Sequence, residues 1–126
     1  MTKIPKQYME LNSMSVMGMI DTPINSSEER FSFPISFERV YRDYWYKFAE
    51  DKELYWLKFF LYGIKLERSD FDEVRLELKL FKNFLLKEDD IYYLPERSYI
   101  LSRIKLFLEK LDEAEEIRGD LVLYIG

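Results

Sequence analysis

Carboxylates and aromatic rings are the side chains with which this chain of 126 residues could do chemistry, because it contains neither Cys nor His. Their absence removes a thiolate nucleophile, an imidazole base and the common zinc ligand sets. The four glycines are too far apart for a phosphate-binding loop, and no spacing singles out a catalytic pair of carboxylates. The sequence therefore predicts a protein that is not an enzyme, with no catalytic residue, no cofactor and no metal.

Acidic residues crowd the C-terminal end of the last predicted helix. Asp112, Glu113, Glu115 and Glu116 lie there, where the helix macrodipole disfavours an exposed negative charge by about 0.3 to 1 kcal/mol each. One interpretation is a solvated helix end that tolerates this small cost. The other, which we adopt as the prediction, is an acidic patch that binds a basic partner through charge-assisted hydrogen bonds.

A second acidic run is followed by two aromatic residues. Glu88, Asp89 and Asp90 precede Tyr92 and Tyr93 in a predicted loop. Loops often carry binding residues, and Tyr is enriched at protein interfaces. These five residues therefore join the four at the helix end as predicted partner-binding residues.

Ten of the 22 aromatic residues fall in the segment 41–62. Most of them recur at the three- and four-residue spacing of a helix face, which is typical of core packing. Tyr46 and Tyr55 fall off that face, and exposed rings are typical of protein interfaces. The same cluster also fits a small-molecule pocket between helix and sheet, lined by the aromatic rings.

The charge balance argues against nucleic acid as a partner. Asp and Glu number 24 against 19 Lys and Arg, which gives a net charge of -5. Most of the surplus lies in residues 64–126, and a negative field repels a phosphate backbone. The first residues lack the apolar stretch of a signal peptide, and no apolar run is long enough to cross a membrane. We therefore expect a cytoplasmic protein that binds neither nucleic acid nor a membrane.

The elements that would position these residues begin with a hairpin. Alternating apolar residues in 14–20 and 31–37, separated by a dense turn signal, predict two antiparallel strands. Pro34 predicts that the second strand either lies at a sheet edge or ends early, because proline cannot donate a ladder hydrogen bond. The spacing changes at Ser36, which we predict to be the N-cap of a helix over 36–50.

The middle of the chain is harder to interpret. Residues 54–66 are apolar at nearly every position and fit either a buried helix or a buried strand. We favour a helical turn that passes into a strand near Phe59.

Residues 74–80 alternate apolar and charged, which predicts a strand that pairs with 64–68 as a second hairpin. The alternative is a helix, which would leave Leu76 and Leu80 on the wrong face. The apolar stripe of that helix would consist of Phe71, Val74, Leu78, Phe81 and Leu85.

The last part of the chain predicts a helix over 95–118 and a strand over 121–125. This strand is apolar on both faces, so we place it inside the sheet. The predicted fold is a single α+β domain over residues 1–126. Its antiparallel or mixed sheet consists of two hairpins plus the C-terminal strand, with two main helices packed on it.

Small size, acidity and the missing catalytic groups together favour a non-enzymatic protein-binding or inhibitor protein. We favour an immunity-type protein that neutralises a bacterial toxin by masking a basic partner with acidic and aromatic patches. One alternative is a small-molecule-binding domain with an aromatic-lined pocket. A second alternative is an acidic anti-defence protein that mimics DNA.

Overall fold

A computed structural model describes residues 15–87 and 92–126 of the chain. In this part of the chain the strands are β1 (Ser15–Ile20), β2 (Ser32–Phe37), β3 (Ile64–Glu67) and β4 (Val122–Ile125). The α-helices are α1 (Ser26–Glu29), α2 (Glu38–Val40), α3 (Tyr46–Asp51), α4 (Tyr55–Lys58), α5 (Phe71–Lys87) and α6 (Arg97–Ile117). A π-helical turn (Tyr41–Trp45) joins α2 to α3, and 3-10 turns (Phe60–Tyr62, Arg68–Asp70 and Leu94–Glu96) precede β3, α5 and α6.

The strands form an antiparallel sheet in the order β2-β1-β4-β3. This order confirms the α+β fold class, the hairpin of β1 and β2, the edge position of β2 and the internal position of the C-terminal strand. One face of the sheet is buried against the helices, and the other carries exposed residues such as Met19 and Lys65. Buried side chains of the sheet and the helices form one core cluster.

Strand β2 contains a bulge at Ile35, next to Pro34. Val16 of β1 pairs with Ser36 and Met17 pairs with Pro34, so Ile35 is the extra residue on β2. Pro34 has no N–H to donate, and an edge strand with a bulge accommodates that lack. The bulge turns both Ile35 and Ser36 inward, where each is fully buried.

Gly18 in β1 leaves room for a phenyl ring to lie across the strand. A Cβ atom at Gly18 would lie 2.3 Å from Cζ of Phe33, its cross-strand neighbour. The ring packs edge-on against Phe107 of α6, with 5.3 Å between the ring centroids. Further along β2, the Phe37 N–H donates to the hydroxyl oxygen of Tyr99 in α6 (3.1 Å). These contacts hold α6 over β2.

The strand predicted at 74–80 is wrong, and so is the second hairpin, because these residues belong to α5. Leu76 and Leu80 produced the misleading alternation, and they are 60% and 44% exposed. The helical stripe is the set that the fold buries to 0 or 1% exposure: Phe71, Val74, Leu78, Phe81 and Leu85. Helix α5 is therefore a third long helical segment beside the two that were predicted.

The helix predicted over 36–50 is the run of α2, the π-helical turn and α3, but Ser36 is not its N-cap. Ser36 lies in β2, and its hydroxyl donates to the Phe37 carbonyl (2.9 Å). The helical run begins at Glu38, and Phe37 makes no side-chain capping hydrogen bond. The bulge explains the displacement, because it keeps Ser36 paired with β1.

The segment 54–66 is a helical turn followed by a strand, as favoured from the sequence, but the strand begins at Ile64 and not near Phe59. Gly63 separates the two parts with φ of 87°, a conformation that glycine adopts readily. The last predicted helix, 95–118, is confirmed as α6, with Pro95 in the preceding 3-10 turn.

Candidate functional site

An ion cluster joins α5 to the end of α6. The Arg75 guanidinium donates to Asp72 (3.0 Å), to Asp112 (2.9 Å) and to both carboxylate oxygens of Glu115 (2.7 and 3.0 Å). The Arg75 side chain is only 16% exposed, whereas Asp72 and Asp112 are 94% and 74% exposed. Three carboxylates therefore share one cation and present a negative surface, which we call the acidic platform.

The acidic platform is held in place by the antiparallel packing of α5 against α6. Arg75 lies near the start of α5 and contacts the end of α6, while Arg97 at the start of α6 donates to the carbonyl of Leu85 near the end of α5 (3.4 Å). The acidic end of α6 therefore lies beside the N-terminus of α5, whose partial positive charge favours carboxylates. Folding thus gives Asp112 and Glu115 a structural role that the position on α6 alone does not suggest.

The electrostatics of the platform favour the charged form of Glu115. Hydrogen bonds from Arg75 hold the pKa of Glu115 below its ordinary value, and burial only partly opposes them. Lys110, which pairs with Glu113 at 3.2 Å, and Arg68 add positive charge to this end of the molecule. Within residues 15–87 and 92–126, no group of three or more carboxylates is arranged to hold a metal ion.

A second ion pair anchors the same end of α6 to the hairpin loop. Arg118 donates to both oxygens of Glu28 (2.8 and 2.9 Å), and Glu28 is 4% exposed. Arg118 also donates to Asp120 (2.9 Å), whose side chain is 84% exposed. Arg75 and Arg118 are thus turned toward the protein, whereas the carboxylates of Asp112 and Asp120 face solvent.

The remaining residues of the predicted helix-end patch are exposed. Glu113 is 54% exposed and lies beside Asp112, and Glu116 lies one turn further along α6. The residues Asp112, Glu113, Glu115 and Glu116 are therefore at one end of the molecule. Whether they contact a partner stays a prediction.

Only the two tyrosines of the predicted loop patch belong to the described residues. Glu88, Asp89 and Asp90 fall outside the described residues. Tyr92 is 40% exposed and donates to the Asp43 carbonyl (2.9 Å), whereas Tyr93 is buried at 9% exposure and contacts Phe84. Of the two rings, only that of Tyr92 presents substantial surface.

The two tyrosines of the loop patch do not share a face with the helix-end carboxylates. Tyr92 and Tyr93 precede the first residue of α6, and Asp112 to Glu116 belong to its last turns. At 1.5 Å per residue, the part of α6 between them measures roughly 20 Å. The structure therefore brings the four helix-end carboxylates together and separates them from the tyrosines.

Most aromatic residues of 41–62 pack into the core. Tyr41, Trp45 and Phe60 are fully buried, and the Tyr41 hydroxyl donates to the Leu57 carbonyl (2.6 Å). Burial raises the pKa of the Tyr41 phenol. Of the two rings predicted to fall off the helix face, Tyr55 is 59% exposed, whereas Tyr46 is half-buried and packs against the core.

Sequence reasoning missed the three residues that organise this end of the molecule, Glu28, Arg75 and Arg118. Glu28 and Arg118 are 90 positions apart, and Arg75 is 37 and 40 positions from Asp112 and Glu115. No local pattern connects residues at such separations. The spacing of three between Asp72 and Arg75 on a helix was the one available signal, and the strand prediction concealed it.

In the part of the chain that the structure describes, no helix is both long and apolar enough to span a membrane. Comparison of the chain with protein-family models, with curated proteins and with solved structures finds no significant match.

Proposed function

We propose that this chain is a non-enzymatic binding protein of the cytoplasm that masks a basic protein partner, as immunity-type proteins mask bacterial toxins. The observation that carries the proposal is the acidic platform. Its three carboxylates share one largely buried guanidinium, and Asp72 and Asp112 remain mostly exposed. A surplus of negative charge is therefore held at the surface.

Arg75 orders these carboxylates before a partner arrives. An ordered side chain loses less conformational freedom on binding than a mobile one, so a prearranged acidic surface binds at lower entropic cost. Its negative field would speed encounter with a basic partner, and the exposed oxygens would accept hydrogen bonds from Lys or Arg. Glu113 and Glu116 extend the same surface along α6.

Charge reversal beside the platform tests the proposal. The double variant Glu113→Lys/Glu116→Lys changes exposed residues and leaves the Arg75 contacts intact. Glu50→Lys/Asp51→Lys, at the exposed end of α3, makes the same charge change elsewhere and serves as the control. Wild type, variant and control are each used as bait in lysate of the source organism, and the retained proteins are identified by mass spectrometry.

We expect wild type and control to retain a basic protein that the platform variant loses. Retention of this basic protein by wild type should weaken as the salt concentration is raised, because salt screens the attraction between opposite charges. Retention of no basic protein, or equal retention by variant and wild type, would contradict the proposal.

The immunity part of the proposal has its own test. The retained protein is expressed in the source or a related host with and without this chain. We expect growth arrest that wild type relieves and Glu113→Lys/Glu116→Lys does not. A retained basic protein without toxicity would refute the immunity role while leaving the masking role intact.

A further inference from the structure

The side of α5 that faces away from α6 carries a shallow apolar groove. One half of it holds about 440 Å³ and the other about 480 Å³, and Leu54 and Leu80 line both halves. Leu80 is 44% exposed, and two further apolar side chains of the groove, Leu76 and Tyr55, are 60% and 59% exposed. These exposed apolar side chains make the groove a candidate interaction surface.

The two halves of the groove carry opposite charge. The half toward the C-terminal end of α5 is lined by Lys52 and Lys87, with no carboxylate among its lining residues. The half toward the N-terminal end is lined by Glu53 and Glu73, with no cation among its lining residues. Glu77 also lines this half, but backbone N–H groups of α4 occupy its carboxylate.

The spacing along α5 makes this arrangement symmetric about Leu80. Glu73 and Lys87 are each seven residues from Leu80, which is roughly 10 Å in either direction along the helix axis. Leu76 and Phe84 are each four residues from it. Positions 73, 76, 80, 84 and 87 are separated by steps of three or four residues, so these five residues lie along one side of the helix.

We propose that the occupant of this groove is a second copy of the chain, which forms a twofold-symmetric dimer with its α5 helix antiparallel to the first. A twofold axis at Leu80 brings Leu80 against the partner's Leu80 and Leu76 against the partner's Phe84. It also brings Glu73 against the partner's Lys87 at both ends of the contact. A surface that is complementary to itself under rotation is the requirement for such an interface.

This interface does not use the acidic platform. Arg75 contacts α6, and neither Asp72 nor Arg75 lines the groove. A dimer therefore leaves the platform free, and a failure of dimerisation does not affect the proposed masking of a basic partner.

The apolar contact is tested by Leu80→Glu, which would place two carboxylates on the twofold axis. Leu86→Glu is the matched control, because Leu86 is 58% exposed on the same helix but lines a different depression, beside α6. Sedimentation equilibrium is measured over a range of concentrations for the wild type and both variants, and circular dichroism checks that each is folded. We expect wild type and Leu86→Glu to reach twice the chain mass and Leu80→Glu to stay monomeric.

Charge-reversal variants test whether the two α5 helices of the dimer are antiparallel. Glu73→Lys alone and Lys87→Glu alone each create two like-charged pairs across the axis, so each should weaken dimerisation. An equimolar mixture of the two variants restores opposite charges in both pairs and should recover the dimer. Glu73 also accepts a hydrogen bond from Trp56 Nε1 (3.0 Å), and Lys87→Glu leaves that contact untouched.

Several results would overturn the proposal. One is a wild type that stays monomeric up to about 1 mM, where a dimer with a millimolar dissociation constant is substantially populated. Such a result would assign the groove to a different occupant. Loss of the dimer in Leu86→Glu but not in Leu80→Glu would place the interface elsewhere. If the mixture of Glu73→Lys and Lys87→Glu dimerises no more than either variant alone, the antiparallel arrangement is excluded.

Discussion

At the scale of single residues, Glu77 of α5 caps the start of α4, which has no capping side chain of its own. Its carboxylate accepts the backbone N–H groups of Tyr55 (3.1 Å), Trp56 (3.0 Å) and Leu57 (2.9 Å) at the start of α4. Helix α4 has no capping side chain of its own, because Leu54 stands at its N-cap. Glu77 is 8% exposed, so a helix 20 residues away in sequence supplies the acceptors that water would otherwise provide.

Replacement of Glu77 by Gln tests this role. The amide keeps one oxygen, but its NH₂ group would face a backbone N–H and leave that donor unpaired. We expect Glu77→Gln to lower the free energy of unfolding by about 1 to 3 kcal/mol, measured by urea denaturation.

The control is Glu109→Gln, at an exposed position of α6 that belongs neither to the groove nor to the acidic platform. A surface substitution of this kind should change the free energy of unfolding by no more than about 0.5 kcal/mol. Equal effects of the two substitutions would show that Glu77 has no special role in capping α4.

At the scale of elements, the pair of Glu28 and Arg118 joins the hairpin loop to the end of α6. Glu28 belongs to α1, and its Oε1 also accepts the backbone N–H of Ile24 (3.2 Å). Asn25 caps α1 by accepting the Glu28 N–H (2.8 Å). The loop is thereby ordered around one buried carboxylate, which needs its cation because an unpaired buried charge is strongly unfavourable.

This pair predicts a loss of stability in acid. Hydrogen bonds from Arg118 hold the pKa of Glu28 below its ordinary value of 4.5. The stabilisation is therefore fully present above pH 4.5 and is lost as the pH falls through the lowered pKa of the folded state. We expect the difference in Tm between wild type and Glu28→Gln to be largest near neutral pH and to narrow in acid.

Glu29→Gln makes the same change at the exposed neighbouring position and serves as the control. Its Tm should stay close to that of wild type at every pH. A difference between wild type and Glu28→Gln that is constant from neutral to acid pH would contradict the proposed linkage.

At the scale of the whole molecule, one core connects every layer. Phe81 of α5 packs against Trp45 and Phe48 of the first helical run, with ring centroids 5.4 and 4.6 Å apart. Phe107 of α6 packs against Phe33 of the sheet and against Phe60, at 5.3 and 5.6 Å. No layer buries its apolar face independently of the others, so the layers should unfold together.

We therefore expect a single cooperative unfolding transition. Trp45 is fully buried in the helical layer, and Trp56→Phe makes it the only tryptophan, because the chain has two. Tryptophan fluorescence and far-ultraviolet circular dichroism of this variant should give the same urea midpoint. Loss of fluorescence at lower urea than the loss of helix would show that the layers separate.

The candidate site was only partly predictable from the sequence. The carboxylates of the α6 end were identifiable because they stand where a helix macrodipole disfavours them. Arg75, which orders two of them, was not identifiable, because the contact depends on how α5 packs against α6. Tyr93 looked like surface by composition, but the rings around it place it in the core.

The sequence by itself determined the α+β class, the first hairpin, the last helix and the central position of β4. Each of these follows from a local pattern of apolar residues, periodic in the hairpin and the helix and continuous in β4. It predicted a strand at 74–80 wrongly, because a period of two and a period near 3.6 both fit the apolar residues of this segment. The tertiary structure decided between the two, since the helical form buries Phe71, Val74, Leu78, Phe81 and Leu85 against the other layers. Leu76 and Leu80 were left on the surface, and there they form the groove that we assign to a second copy.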